Sequence, residues 1–184
     1  MDKKYADWAA RWRVPSGFLL AGAYVVFAQP KPQLLVAGSL LAVLGLLIRG
    51  YAAGCLSKNQ ALATGGPYAR TRNPLYFGSL ILGAGFAVAG GVWLLGIALL
   101  GLFVLIYWPV MRREEGFLRG EFGETYARYA SAVPFFFPAF RAARLPGEPF
   151  RWSQYRKNRE YRAALGFCAV VIFLFTKMLL RQIA

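Results

Sequence analysis

Gln33-Leu34-Leu35-Val36-Ala37-Gly38-Ser39-Leu40-Leu41-Ala42-Val43-Leu44-Gly45-Leu46-Leu47-Ile48-Arg49-Gly50-Tyr51-Ala52-Ala53-Gly54 is an apolar run of the length a helix needs to cross a bilayer, about 20 predominantly apolar residues. Four further runs resemble it: Pro15 to Gln29, Leu75 to Gly90, Val92 to Met111 and Ala163 to Leu180, the first and third of them short. The sequence therefore predicts an all-α polytopic membrane protein with about five transmembrane helices. Composition agrees. With 58% hydrophobic and 16% aromatic residues and a mean hydropathy of +0.42, the 184-residue chain is too apolar for an ordinary soluble domain, and residues 1–184 are expected to form a single integral membrane domain.

The links carry the topology. Pro30-Lys31-Pro32 and Gly90-Gly91 are so tight that spans one and two, and spans three and four, must each form a hairpin. All the long polar segments then fall on one side. That side holds Lys3, Lys4, Arg11, Arg13, Arg49, Lys58, Arg70, Arg72 and the series from Arg112 to Arg162, whereas Lys31, Lys177 and Arg181 fall on the other. The excess of Lys and Arg places the N-terminus and the polar segments in the cytoplasm and the C-terminus outside. The N-terminus lacks a hydrophobic stretch with a small-residue cleavage pattern, so the first span is expected to stay. A net charge of +14 in so apolar a chain reads as topology and contact with anionic lipid, and no nucleic-acid partner is expected.

Absences narrow the chemistry. There is no His, which excludes a His-based triad, a His general base and a His-ligated metal. Cys55 and Cys168 lie far apart beside apolar spans, so no metal site is expected. No Gly-rich nucleotide loop of the Walker or dinucleotide-binding kind occurs.

Two polar segments flank the third and fourth spans. The first is Gly65-Gly66-Pro67-Tyr68-Ala69-Arg70-Thr71-Arg72-Asn73-Pro74-Leu75-Tyr76-Phe77-Gly78, where helix-terminal amides and cations can meet a charged ligand beside the lipid. The second runs from Arg112 to Tyr129 and on through Val133-Pro134-Phe135-Phe136-Phe137-Pro138. Read as a helix leaving the fourth span, it aligns Leu118, Phe122, Tyr126 and Val133 on one stripe and turns Glu115 to the packed side, where a carboxylate needs a cation or donors. Glu114, one step round, is more easily solvated. Each segment also has a plain reading: a collar of solvated charges with Arg119 as a helical partner, and a turn into a helix with Pro at its first position. A third cluster, Phe150 to Arg162, reads as an interfacial helix with Trp152 and Tyr155 at headgroup level. It also offers Arg156 or Arg159 for an anionic head and Glu160 as a base, or Glu160 as a helical partner of Arg156.

Taken in order and spacing, Gly66-Pro67-Tyr68, Arg72-Asn73-Pro74-Leu75-Tyr76-Phe77-Gly78, Glu114-Glu115-Gly116-Phe117-Leu118, Phe122-Gly123-Glu124-Thr125-Tyr126-Ala127-Arg128-Tyr129 and Val133-Pro134 resemble the membrane methyltransferase superfamily that includes isoprenylcysteine carboxyl methyltransferases and phospholipid N-methyltransferases. The resemblance covers about residues 64–138 and leaves the basic segment and last span, 141–184, outside it. It implies a cytosol-facing pocket for S-adenosylmethionine and methyl transfer to a lipid-like or prenylated acceptor, carboxyl O-methylation first and phospholipid amine N-methylation as the alternative. Many members carry His where this chain has Asn73, which can position a cofactor but cannot titrate.

The cofactor shell implied is Arg72, Asn73, Pro74, Tyr76, Glu114, Glu115, Tyr126 and Pro134, with Tyr68 and Arg70 beside it. Glu115 suits the ammonium of the cofactor's methionine moiety, and Arg72, Asn73 and helix amides suit its carboxylate. Tyr76, Tyr126 and the aromatic turn of residues 133–138 are candidates to enclose adenine. Gly78 is either a point of close cofactor approach or a helix-packing glycine. Glu160 and Arg159 are the catalytic candidates. A membrane sterol-type reductase using NADPH and a non-enzymatic scaffold remain as other classes, though paired acids would repel a phosphate-rich cofactor.

Overall fold

The computed structural model describes residues 3–57 and 61–183, with only the backbone of Lys3 and Ala6; Lys58 of the expected basic side lies outside them. Among the described residues every regular element is helical: α1 (Lys3–Phe27), α2 (Pro32–Gly54), a 3₁₀ turn (Gly66–Ala69), α3 (Pro74–Ala89), α4 (Trp93–Leu102), a π-helical turn (Phe103–Tyr107), α5 (Trp108–Ala132), α6 (Trp152–Lys157) and α7 (Tyr161–Ile183). The all-α membrane architecture expected from the sequence is the one found. Three stretches, Pro32–Gly54, Trp93–Ala132 and Tyr161–Ile183, are long and apolar enough to cross a membrane, and Pro74–Ala89 is apolar but shorter.

Two boundaries differ from expectation. Helix α1 begins at Lys3 and runs straight through Pro15, twelve residues earlier than the first apolar run. Its polar first half is held against the far end of the fourth span, by Asp7 paired with Arg113 at 3.2 Å and by a Tyr5 hydroxyl donating to Leu105 O at 2.7 Å. The fourth span, in turn, does not stop at Met111. Helix α4, the π turn and α5 form one continuous helical stretch of 40 residues. Pro109, near its middle, has no N–H to donate toward Leu105, the residue four before it; Tyr5 supplies the missing donor. The stretch kinks at Gly123, where the backbone leaves helical geometry: its φ of 48° lies in the left-handed region that glycine enters at little cost.

Helices α2 and α3 meet backbone to backbone. A Cβ placed on Gly38 would stand 2.3 Å from Ala89 N, one on Gly45 2.5 Å from Leu82 N, and one on Gly85 2.4 Å from Ala42 N. Lipid supplies no hydrophobic force between two apolar helices, so association depends on such close packing of small residues. The glycines thereby fix where α3 begins, and with it the polar turn that precedes it.

The tight links gather at one end. Gln29 N donates to Gly90 O at 2.6 Å, joining the two hairpin turns, and Lys177 Nζ caps the last carbonyls of α1 at Val25 and Val26, 2.6 and 2.9 Å away. The long polar segments gather at the opposite end, as the hairpin reading requires.

Replacing Gly45 or Gly85 with Val is expected to cost about 1–3 kcal/mol or more through overpacking, seen as a lowered Tm in detergent. Gly22→Ala and Gly166→Ala, at positions with nothing within 4 Å, are expected to leave the Tm unchanged or raise it, since Ala favours helix over Gly.

Candidate active site

The two polar segments are tied together by backbone and short side chains. Arg72 N donates to Pro134 O at 3.0 Å, Ala139 N to Arg70 O at 2.8 Å and Ala143 N to Ala69 O at 2.8 Å. Thr71 Oγ1 donates to Phe136 O at 2.7 Å, and Asn73 Nδ2 to Phe135 O at 2.9 Å. Behind this seam Phe136 enters the apolar core with Phe103 and Met111. In front of it opens a cavity of about 1080 Å³, walled by α1, the end of α2, the first turn of α3, α5 and Glu160.

Glu115 is the centre of charge. It is 8% exposed, pairs with Arg72 through Oε1 and with Arg112 through Oε2 at 3.0 Å, and has Arg119 at 4.0 Å. Both Arg72 and Arg112 also lie over the ring of Phe135, their guanidinium carbons 5.4 and 4.1 Å from its centroid. The stripe reading thus placed Glu115 correctly on the packed side, and its cations come from both polar segments. Arg72 keeps a buried Nε for which no partner exists among the described residues. Tyr126 is buried on the same wall beside Arg72 and Glu115. Glu114, half exposed, accepts from the Tyr76 hydroxyl at 2.8 Å and lies 3.9 Å from Arg13. Tyr68 sits inside, with Tyr129 donating to its carbonyl at 2.9 Å. Burial, reinforced by Tyr129, pushes the Tyr68 phenol well above its ordinary value, so it remains a neutral hydroxyl.

The expected residues divide. Tyr68, Arg72, Asn73, Pro74, Tyr76, Glu114, Glu115, Tyr126 and Glu160 all line the cavity, whereas Arg70, Gly78, Pro134 and Arg159 do not. Arg70 turns outward to bond the carbonyls of Ala139 and Phe140. Gly78 is the helix-packing glycine of its two readings: a Cβ there would stand 2.9 Å from Gly45 O. Pro134 contributes its carbonyl to the seam. Arg159 is exposed, with a φ of 54° in the left-handed region. Of the aromatic turn of residues 133–138, Phe136 packs behind the seam, Phe135 lies under the two arginines and Phe137 is exposed, so the cavity's aromatic surface comes instead from Phe18, Tyr68, Tyr76, Tyr107, Phe117, Phe122, Tyr126 and Tyr129.

Sequence reasoning missed Arg49. Its Nε and Nη2 bond Glu160 Oε1 and Oε2 at 2.6 and 3.0 Å, and its Nη1 bonds Ser79 Oγ. Glu160 is therefore not a helical partner of Arg156. The available signal was one cation inside an otherwise apolar span, a placement that calls for a partner.

Removing Glu115 is expected to be severe: Glu115→Ala strands Arg72 and Arg112 and should cost about 3 kcal/mol, the scale for breaking a buried pair. The double change Arg72→Met with Glu115→Leu should cost less than the sum of the single changes, which a thermal-unfolding double-mutant cycle in detergent measures.

The phospholipid methyltransferase family model matches residues 33–125, half of the chain. The cobalt-zinc-cadmium resistance protein CzcN of Cupriavidus metallidurans is 38% identical over 139 residues, 69% of this chain and 62% of that protein, so the chain spans somewhat less than two thirds of this relative's length. No solved structure matches. The family match takes in Arg49, Arg72, Asn73, Tyr76, Glu114 and Glu115, all on the wall of the 1080 Å³ cavity, and leaves Glu160 outside the matched residues. The chain belongs to the phospholipid methyltransferase family.

Proposed function

We propose that this protein transfers a methyl group from S-adenosylmethionine to a lipid-like acceptor at the membrane–cytosol interface, with the cavity around Glu115 open to the cytosol and the N-terminus on the same side. The observation that carries the reading is the paired charge on one wall: a buried carboxylate and a mostly buried guanidinium whose buried Nε has an unused N–H, side by side at the mouth of an uncapped helix. That donor and acceptor set fits a zwitterion, and the methionine moiety of the cofactor is one.

When bound, S-adenosylmethionine supplies a methyl group on a sulfonium, open to in-line displacement. Arg72, with its free Nε, and the first-turn amides of α3 would hold the carboxylate of the methionine moiety. Asn73 Oδ1, and the carboxylates of Glu115 and Glu114, would take its ammonium. The tethering of Asn73 to Phe135 O fixes that side chain before anything binds. Tyr76, Tyr107, Tyr126 and Phe122 give flat apolar surface for the nucleoside. The lining of Val14, Phe18, Leu75 and Met111 keeps the far wall dry, which favours displacement at a charged centre by a desolvated nucleophile.

Such a wall needs no base for a carboxylate acceptor and needs one for a protonated amine. On this wall Glu114, half exposed, held by the Tyr76 hydroxyl and 3.9 Å from Arg13, is the carboxylate best placed to take a proton to solvent.

The reading is tested by calorimetry of S-adenosylhomocysteine with the purified protein in nanodiscs. Saturable binding is expected, weakened about tenfold by Asn73→Ala through loss of one or more hydrogen bonds and more by Glu115→Gln, with no competition from NADPH. Absence of binding, or binding of NADPH in its place, overturns it in favour of a scaffold or a reductase.

A further inference from the structure

Two cavities meet at Glu160. The 1080 Å³ cavity holds the cluster around Glu115; beside it lies one of 430 Å³, lined by Val43, Leu46, Leu47, Phe150, Tyr155 and Ala164, and Glu160 belongs to both walls. The smaller cavity is almost wholly apolar and lies between α2, α6 and the start of α7. Val43 and Leu47 reach the outer surface of α2, a helix of spanning length. What borders them there is the hydrocarbon of the bilayer.

Glu160 is 9% exposed and is held from one side. Arg49 takes one position on each carboxylate oxygen and spends its remaining terminal nitrogen on Ser79 and on Leu75 O, 3.4 Å away. A carboxylate offers about four acceptor positions, so roughly half of those on Glu160 remain. Asn158, on the wall of the larger cavity, spends its NH₂ on the carbonyls of Ala53 and Leu56 at 2.8 and 2.9 Å and keeps its carbonyl oxygen. This end of the cavity therefore has acceptors to offer and its cation is already engaged.

Resting on the methyltransferase reading, we infer that the 430 Å³ cavity receives the hydrocarbon chain of the acceptor and that Glu160, braced by Arg49, receives its head. The head is one that donates hydrogen bonds, a protonated amine or a hydroxyl, and it enters the larger cavity opposite the Arg72–Glu115 wall. The chain arrives from the bilayer between α2 and α7. The cofactor and acceptor ends are thus separate ion-paired anchors of one space. The second anchor is completed by the segment beyond the family match, which contributes Glu160 and Asn158 from the α6–α7 connection.

The test uses the full chain in phosphatidylcholine nanodiscs with a long-chain primary amine bearing a mid-chain diazirine, crosslinked by light and mapped by mass spectrometry, with S-adenosylhomocysteine calorimetry on the same samples. Crosslinks are expected in the peptides containing Leu46, Leu47 or Tyr155. Ala164→Trp, which fills the small cavity and touches nothing at the Glu115 wall, should reduce them about tenfold while leaving S-adenosylhomocysteine binding unchanged. Labelling that ignores Ala164→Trp, or that spreads evenly over the lipid-facing helices, overturns the chain assignment. Equal labelling by the matching long-chain carboxylate overturns the head assignment. Loss of S-adenosylhomocysteine binding in the unmodified chain would instead remove the methyltransferase reading on which the inference stands.

Discussion

The seam between residues 69–73 and 134–143 is the constraint on which the polar end depends. Its hydrogen bonds tie the turn before α3 to the chain leaving α5, two segments separated by a hairpin of apolar helices. Once joined, they place Arg72 and Glu115 within reach of each other at the edge of the lipid. The desolvation of two such charges is costly, and only a rigid surround with further partners offsets it. Arg112 and the face of Phe135 are those partners.

The seam in turn relies on the glycine contact between α2 and α3. That contact sets the height of Pro74, and so the position of Asn73 and Arg72 just before it. A second tie, Arg49 to Glu160, closes the same space from the C-terminal segment. The cavity is therefore bounded by two ion pairs from different pairs of elements, with apolar and aromatic walls between them.

Much of this was legible in the chain. Helix α2 starts one residue from the run that predicts it, and α3 starts and ends one residue from its own, because Pro and Gly punctuate both ends. The stripe of Leu118, Phe122 and Tyr126 turned Glu115 inward, as found. Other features leave no local trace. The pairing of Arg49 with Glu160 spans 111 residues of chain, and no periodicity reports it. Arg70 and Arg72 look alike in sequence, but the seam turns one outward to carbonyls and the other inward to a carboxylate. The early start of α1 was hidden because its first half is polar, and its support comes from a tertiary partner at Leu105. Gly78 carried two readings until its neighbour Gly45 was known.

The uninterrupted passage from the fourth span into the site helix has a geometric consequence. Trp108 and Glu115 belong to one helix without a break between them, and at 1.5 Å per residue they stand about 10 Å apart along its axis. The rod therefore works as a depth gauge: the carboxylate stands at a fixed height above the lipid-facing ring of residues around Val104 and Leu105, which are exposed on the outer surface. On the proposed reading, an acceptor anchored in the bilayer by its chain would meet the polar wall only if its reactive atom rose to that height, and molecular length would join chemical identity in deciding which acceptors the site takes.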